Sequence, residues 1–240
     1  MQALYLLINF FTIIVPFAYS FHPKLDFKKQ WKAFIPAMFI AAFPFLVWDS
    51  LFSQMGVWGF NANYISGLTL FHLPVEEILF FFCIPYACVF TYHCLNILLF
   101  NKQKSSKEWL SPILIIMLLL LSIYFKERLY TFVTFLSLSF LLILCRYILK
   151  VQWLKKFYIS YAILLIPFFI VNGLLTGSGL EEPIVWYNEE EIMGPRLLSI
   201  PLEDVFYGME LILLNILIYK WLKGRVYNKM PAKLPQVKSG

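Results

Sequence analysis

Two short acidic motifs, Pro74-Val75-Glu76-Glu77 and Pro201-Leu202-Glu203-Asp204, each open a strongly apolar segment. Ionisable groups at membrane depth mark functional sites by default. A structural role accounts for one such motif: proline suits the first turn of a helix, and acids just after it meet the positive end of the helix dipole. It accounts less well for a duplicate. Burial favours the neutral acid, the dipole favours the carboxylate, and neighbouring acids resist ionising together. Such a site offers both a proton donor and a proton acceptor, as acid–base chemistry requires. Adjacent helical residues project about 100° apart, so Glu76 and Glu77 cannot both face one small target, nor can Glu203 and Asp204. Glu210 shares a helix face with Glu203 and either joins the site or hydrogen-bonds a neighbouring helix. Asp49 and Asn172 hold equivalent places near the ends of two apolar segments, where they either orient the acids or end their helices. Arg196 is the basic residue of a glutamate-rich loop; it pairs with Glu203 or Asp204 or, in the reading favoured here, sits among the loop glutamates.

Aromatic residues make up 19% of the chain and crowd around both motifs, Trp58, Phe80, Phe81 and Tyr207 among them. An interfacial belt explains some of them. A pocket for a carbocation explains the rest, because aromatic faces stabilise a cation without attacking it. His22, His72 and His93 lack metal-ligand spacing, and Cys83, Cys88, Cys94 and Cys145 form no CxxC pair. Glycine-rich nucleotide loops and nucleophile elbows are missing as well. No cofactor and no metal are expected.

The elements that must position these residues are membrane helices. The chain is 60% hydrophobic and 14% charged, far from a soluble average. Seven windows reach or approach the roughly 20 residues a bilayer requires, at about 2–20, 33–52, 74–98, 110–125, 129–149, 157–175 and 201–221. The N-terminal window reads as a first span, not a signal peptide. The fold class is therefore an all-α integral membrane protein. Lys24, Lys28, Lys29 and Lys32, then Lys102, Lys104 and Lys107, then Arg146, Lys150, Lys155 and Lys156 fall on one side with the basic tail. The positive-inside rule then puts the N-terminus outside and the C-terminus in the cytoplasm, with both acidic motifs on the outer side of a cell membrane. Nucleic-acid binding has no basic reading face to support it.

The sequence also repeats. Pro44-Phe45-Leu46-Val47-Trp48-Asp49 aligns with Pro167-Phe168-Phe169-Ile170-Val171-Asn172, Trp58 and Asn61 with Trp186 and Asn188 after one residue of slippage, and Gly67 with Gly194. This predicts two parallel three-helix repeats, about 1–100 and 128–222, joined by a linking helix at about 108–126, all within one membrane domain (1–225) with a tail at 226–240.

The run PFLVWD, then WGFNANYISG, then LPVEEILFF resembles the first half of the heterodimer-type lycopene cyclases. PFFIVNGLLTG, then PIVWY, then GPRLLSIPLED resembles their second half, here fused in one chain. The resemblance implies cofactor-free closure of the ψ end groups of lycopene to β rings, through a carbocation, with lycopene or a related carotenoid drawn from the lipid phase. It implies Glu76 and Glu203 as the principal acid–base residues, Glu77 and Asp204 next, and Asp49 and Asn172 as orienters. Contact with membrane lipids and with other enzymes of the carotenoid pathway is part of the same expectation. A carotenoid hydratase and a proton-coupled small-molecule transporter are the alternatives.

Overall fold

The computed structural model describes residues 3–99 and 108–228. Lys102, Lys104, Lys107 and the basic tail from residue 229 onward lie outside the described residues. The helices are α1 (Leu4–Tyr19), α2 (Trp31–Met55), α3 (Val75–Leu98), α4 (Leu110–Tyr124), α5 (Leu129–Ile143), α6 (Leu154–Leu175) and α7 (Leu202–Asn228). A π turn, Leu144–Ile148, extends α5, and a 3-10 turn, Phe27–Gln30, leads into α2. Lipid offers no hydrogen bonds, so the backbone must satisfy its own, and helices do this within one segment.

Among the described residues, five helices (α2 with its leading 3-10 turn, α3, α5 with its π turn, α6 and α7) are long and apolar enough to cross a membrane. The expected count of seven is not reached on length, because α1 and α4 hold only 16 and 15 residues. Apolar side chains face outward along these helices, Phe11, Phe43, Ile113 and Ile166 among them, as a lipid-facing surface requires. Inside, α1 packs on α3, α5 on α7, and α2 along α7. A core rich in Phe34, Phe45, Phe81, Phe135 and Phe157 fills the space between them.

The all-α expectation omits six short strands. β1 (Trp58–Phe60) pairs antiparallel with β4 (Val185–Tyr187). β2 (Thr69–Leu70) and β3 (Leu73–Pro74) form a hairpin before α3, and β5 (Arg196–Leu197) and β6 (Ile200–Pro201) form its twin before α7. The β1–β4 ladder joins the two repeats about a local two-fold axis. Trp58 faces Tyr187, Phe60 faces Val185, and Gly59 faces Trp186 on the axis. The flanking bonds obey the same symmetry: Asn61 N–H donates to the Ile184 carbonyl at 2.8 Å, and Asn188 N–H to the Val57 carbonyl at 2.9 Å. The starts of α1 and α5 are tied in likewise, Tyr5 N–H to the Tyr64 carbonyl and Tyr130 N–H to the Glu191 carbonyl.

This register corrects the alignment of Trp58 with Trp186 by one residue: the counterpart of Trp186 is Gly59. The Trp186 ring lies where a Cβ on residue 59 would stand, so only glycine fits opposite it. Replacing Gly59 with Ala is expected to cost about 1–3 kcal/mol through overpacking. Thermal unfolding of the detergent-solubilised protein checks this; an unchanged midpoint would show that Trp186 does not rest on residue 59.

Candidate active site

Each hairpin delivers its proline to the residue before or at the start of an acidic helix, and the two acids that follow take different directions. Glu76 turns back to the loop: Ser66 N–H donates to its Oε1 at 2.7 Å. Glu203 does the same, accepting from Met193 N–H at 2.6 Å and from the Thr131 hydroxyl at 2.5 Å. In both residues Oε2 is buried without a protein partner. Asn9 Nδ2 donates to the Glu76 carbonyl oxygen at 2.7 Å, which fastens α1 to the same turn. Glu76 and Glu203 thus clamp the two loops, and neither lines the central cavity.

Glu77 and Asp204 face the other way. Both line a cavity of about 650 Å³ together with Asp49, Asn172, Trp58 and Tyr207. Asp204 accepts three hydrogen bonds, from the Tyr130 hydroxyl at 2.6 Å, Asn172 Nδ2 at 2.7 Å and the Tyr187 hydroxyl at 2.9 Å. Tyr130 and Tyr187 stack with centroids 5.8 Å apart, so the two donors hold each other in place. Burial, followed by the nearby Asp204, pushes the Tyr187 phenol well above its ordinary value and keeps it a donor. Glu77 accepts from the Tyr5 hydroxyl. Asp49 lines the same cavity, and its Oδ2 is buried without a partner. The first repeat therefore sets acid against acid where the second sets amide against acid. No lysine, arginine or histidine is among the residues lining the cavity.

The remaining sequence-expected residues divide. Trp58, Phe80 and Tyr207 line the cavity. The buried Tyr207 hydroxyl has no protein partner, and its ring packs on Phe45 and Trp48. Phe81 is buried in the core behind Phe80 and is no part of the lining. Glu210 stays outside too; it accepts from Ser137 Oγ on α5 at 2.8 Å, the inter-helix alternative. Arg196 pairs with Glu189 at 2.6 Å and donates to the Ser199 carbonyl, away from both acids of the second motif. Tyr5, Tyr130 and Tyr187 are functional residues that the sequence does not single out. The signal for the first two was present as a tyrosine near the start of the first helix of each repeat. The residues that could hold a metal do not cluster among the described residues.

A family model described as lycopene cyclase matches residues 2–95 and 127–222. The chain belongs to the lycopene cyclase family. The two matched blocks fall on the two structural repeats and leave out α4, the link between them. No curated protein and no solved structure matches this cyclase. Membership makes its coarse role that of a lycopene cyclase, with a carotenoid as substrate.

The clamps and the cavity acids should respond differently to truncation. Glu203→Ala removes the acceptor of two buried donors and is expected to lower stability by about 1–3 kcal/mol. Tyr130→Phe removes one of three bonds to Asp204 and is expected to reduce turnover with a smaller change in stability. Unfolding midpoints and pigment yields measured side by side check the contrast; equal stability losses in both variants would erase it.

Proposed function

We propose that this cyclase closes the ψ end groups of lycopene to β rings, with Glu77 as the proton donor and Asp204 as the acceptor. The observation that supports this most is the convergence of those two carboxyls, one from each repeat, on a single buried, largely apolar cavity. Protonating an alkene requires a carboxyl that is still protonated and kept from water, and a cavity with no Lys, Arg or His among its described lining residues favours the protonated form. Glu77 and Asp49 are two buried carboxyls in one cavity, where ionising both is costly, so the pair retains a proton to give. Asp204 is surrounded by three donors, an arrangement built to accept.

The steps follow from that division. The proton on Glu77 passes to C2 of the end group, and the positive charge develops at C1. The C5–C6 double bond attacks C1, the ring closes, and the charge moves to C5. Trp58, Phe80 and Tyr207 offer aromatic faces to it, each worth about 2 kcal/mol or more where water is excluded. Asp204 then removes the proton from C6, leaving the C5–C6 double bond of a β ring. One proton enters and one leaves, no electrons are exchanged, and no cofactor is needed.

The membrane arrangement belongs to the same reading. Both repeats run in parallel, so α4 returns the chain across the bilayer and the crossings number seven, the short α1 and α4 included. The N-terminus and the cavity lie toward the outer side of the cell membrane, and the lysine-rich ends lie toward the cytoplasm.

Expression in a lycopene-accumulating host, followed by pigment analysis, tests the function. Cyclic products are expected; a hydroxylated acyclic product would instead indicate hydration of the same cation. Glu77→Gln and Asp204→Asn are each expected to lower ring formation by more than 100-fold with normal membrane insertion. Near-normal cyclisation by either variant would remove that residue from its role.

A further inference from the structure

The cavity is far longer than an end group needs, and its two ends differ. On α3 the lining residues after Glu77 are Phe80, Ile84, Ala87, Cys88 and Thr91, a single face at three- and four-residue steps. From Glu77 to Thr91 this face runs about 20 Å at 1.5 Å per residue, some two-thirds of a hydrocarbon core of about 30 Å. Opposite it stand Leu7 and Phe11 of α1 and Pro167, Ile170 and Leu174 of α6. Phe11 and Ile170 are lining residues and yet are 67% and 63% exposed, so the groove opens sideways between α1 and α6 onto the lipid-facing surface.

The repeat symmetry shows that this opening is specific to one half. The α3–α6 interface in one half corresponds to the α7–α2 interface in the other. There α2 lies close along α7, with Ala37, Ala41 and Ala42 fully buried. On α6, Tyr161 and Phe168 reach toward Gly208 of α7, where an added Cβ would meet the Tyr161 hydroxyl at 3.2 Å and the Phe168 ring at 3.5 Å. The Tyr161 hydroxyl is bonded to the Val205 carbonyl at 2.5 Å. Small residues line the close α2–α7 interface, whereas on α6 the large Tyr161 and Phe168 are turned toward α7.

We infer that the groove between α1, α3 and α6 seats the polyene chain of the substrate, which enters sideways between α1 and α6 with one end group against Glu77 and Asp204. This rests on the proposed cyclase chemistry and adds the path and orientation of the chain. Its occupant is apolar and extended, since the groove beyond Ile84 is lined by Ala87, Cys88 and Thr91 of α3 and by Thr12 and Pro16 of α1, with no charged side chain among them. The membrane depth of the groove fixes the molecule along the bilayer normal.

Two measurements test the inference. The first compares lycopene with a short ψ-ended terpenoid whose tail does not pass Ile84, using the full chain in membranes. Ala87→Trp and Thr91→Trp are expected to reduce kcat/KM for lycopene at least tenfold more than for the short substrate. Equal effects on both substrates would overturn the proposal. The second reads occupancy without chemistry. In a Glu77→Gln background with Cys83, Cys94 and Cys145 changed to Ala, lycopene in the bilayer is expected to protect Cys88 from an apolar maleimide. Labelling at an unaltered rate would overturn the groove as the seat of the chain, whether or not cyclisation is found. Protection of Cys88 without ring formation by the unsubstituted protein would instead keep the groove and reject the chemistry.

Discussion

Two acid-bearing helices from separate repeats can share one dry space only if the loops that lead into them are locked together. The β1–β4 ladder supplies that lock. It is three residues long, yet it sets Gly59 against Trp186 at the axis and brings Asn61 and Asn188 into symmetrical bonds across the repeats. From it, the two hairpins aim α3 and α7, and the clamps on Glu76 and Glu203 fix the rotation of each helix start. With that rotation set, the next residue along each chain must face inward. The placement of Glu77 and Asp204 is thus a consequence of where their neighbours are tied.

The helices were legible because lipid demands long apolar runs and the sequence contains them. The repeat was legible from motif spacing alone. The strands were not: two- and three-residue segments carry no alternation that a pattern can detect, and their pairing partner lies in the other repeat. The choice between Glu76 and Glu77 was also beyond the sequence. Side chains 100° apart can be told apart only when a helix has a distinct apolar face, and α3 is apolar or aromatic nearly all round. Tyr5 and Tyr130 draw no notice in the sequence, and only their hydroxyls on Glu77 and Asp204 mark them. Arg196 and Glu210 were each left with two readings, and the geometry takes the local ion pair for the first and the inter-helix hydrogen bond for the second.

The membrane shapes the chemistry as much as the fold. The hydrogen-bond partners of the cavity carboxyls Glu77 and Asp204 are three tyrosine hydroxyls and one amide. The two hydroxyls that reach Asp204 belong to tyrosine rings stacked on each other. In the mechanism proposed above, such an arrangement needs little rearrangement when charge develops, which is how a preorganised site lowers a barrier.

Asp49 and Asn172 occupy the same place in the two repeats and differ by a single functional group. In an assembly of two identical protomers, that place would hold the same residue twice, and both acids would meet the same neighbour. Joining the halves in one polypeptide frees each position to change alone. The fusion therefore allows a directional site to arise inside a frame that is otherwise nearly symmetric, and the most economical mark of that divergence is an oxygen in one half standing where the other has an amide nitrogen.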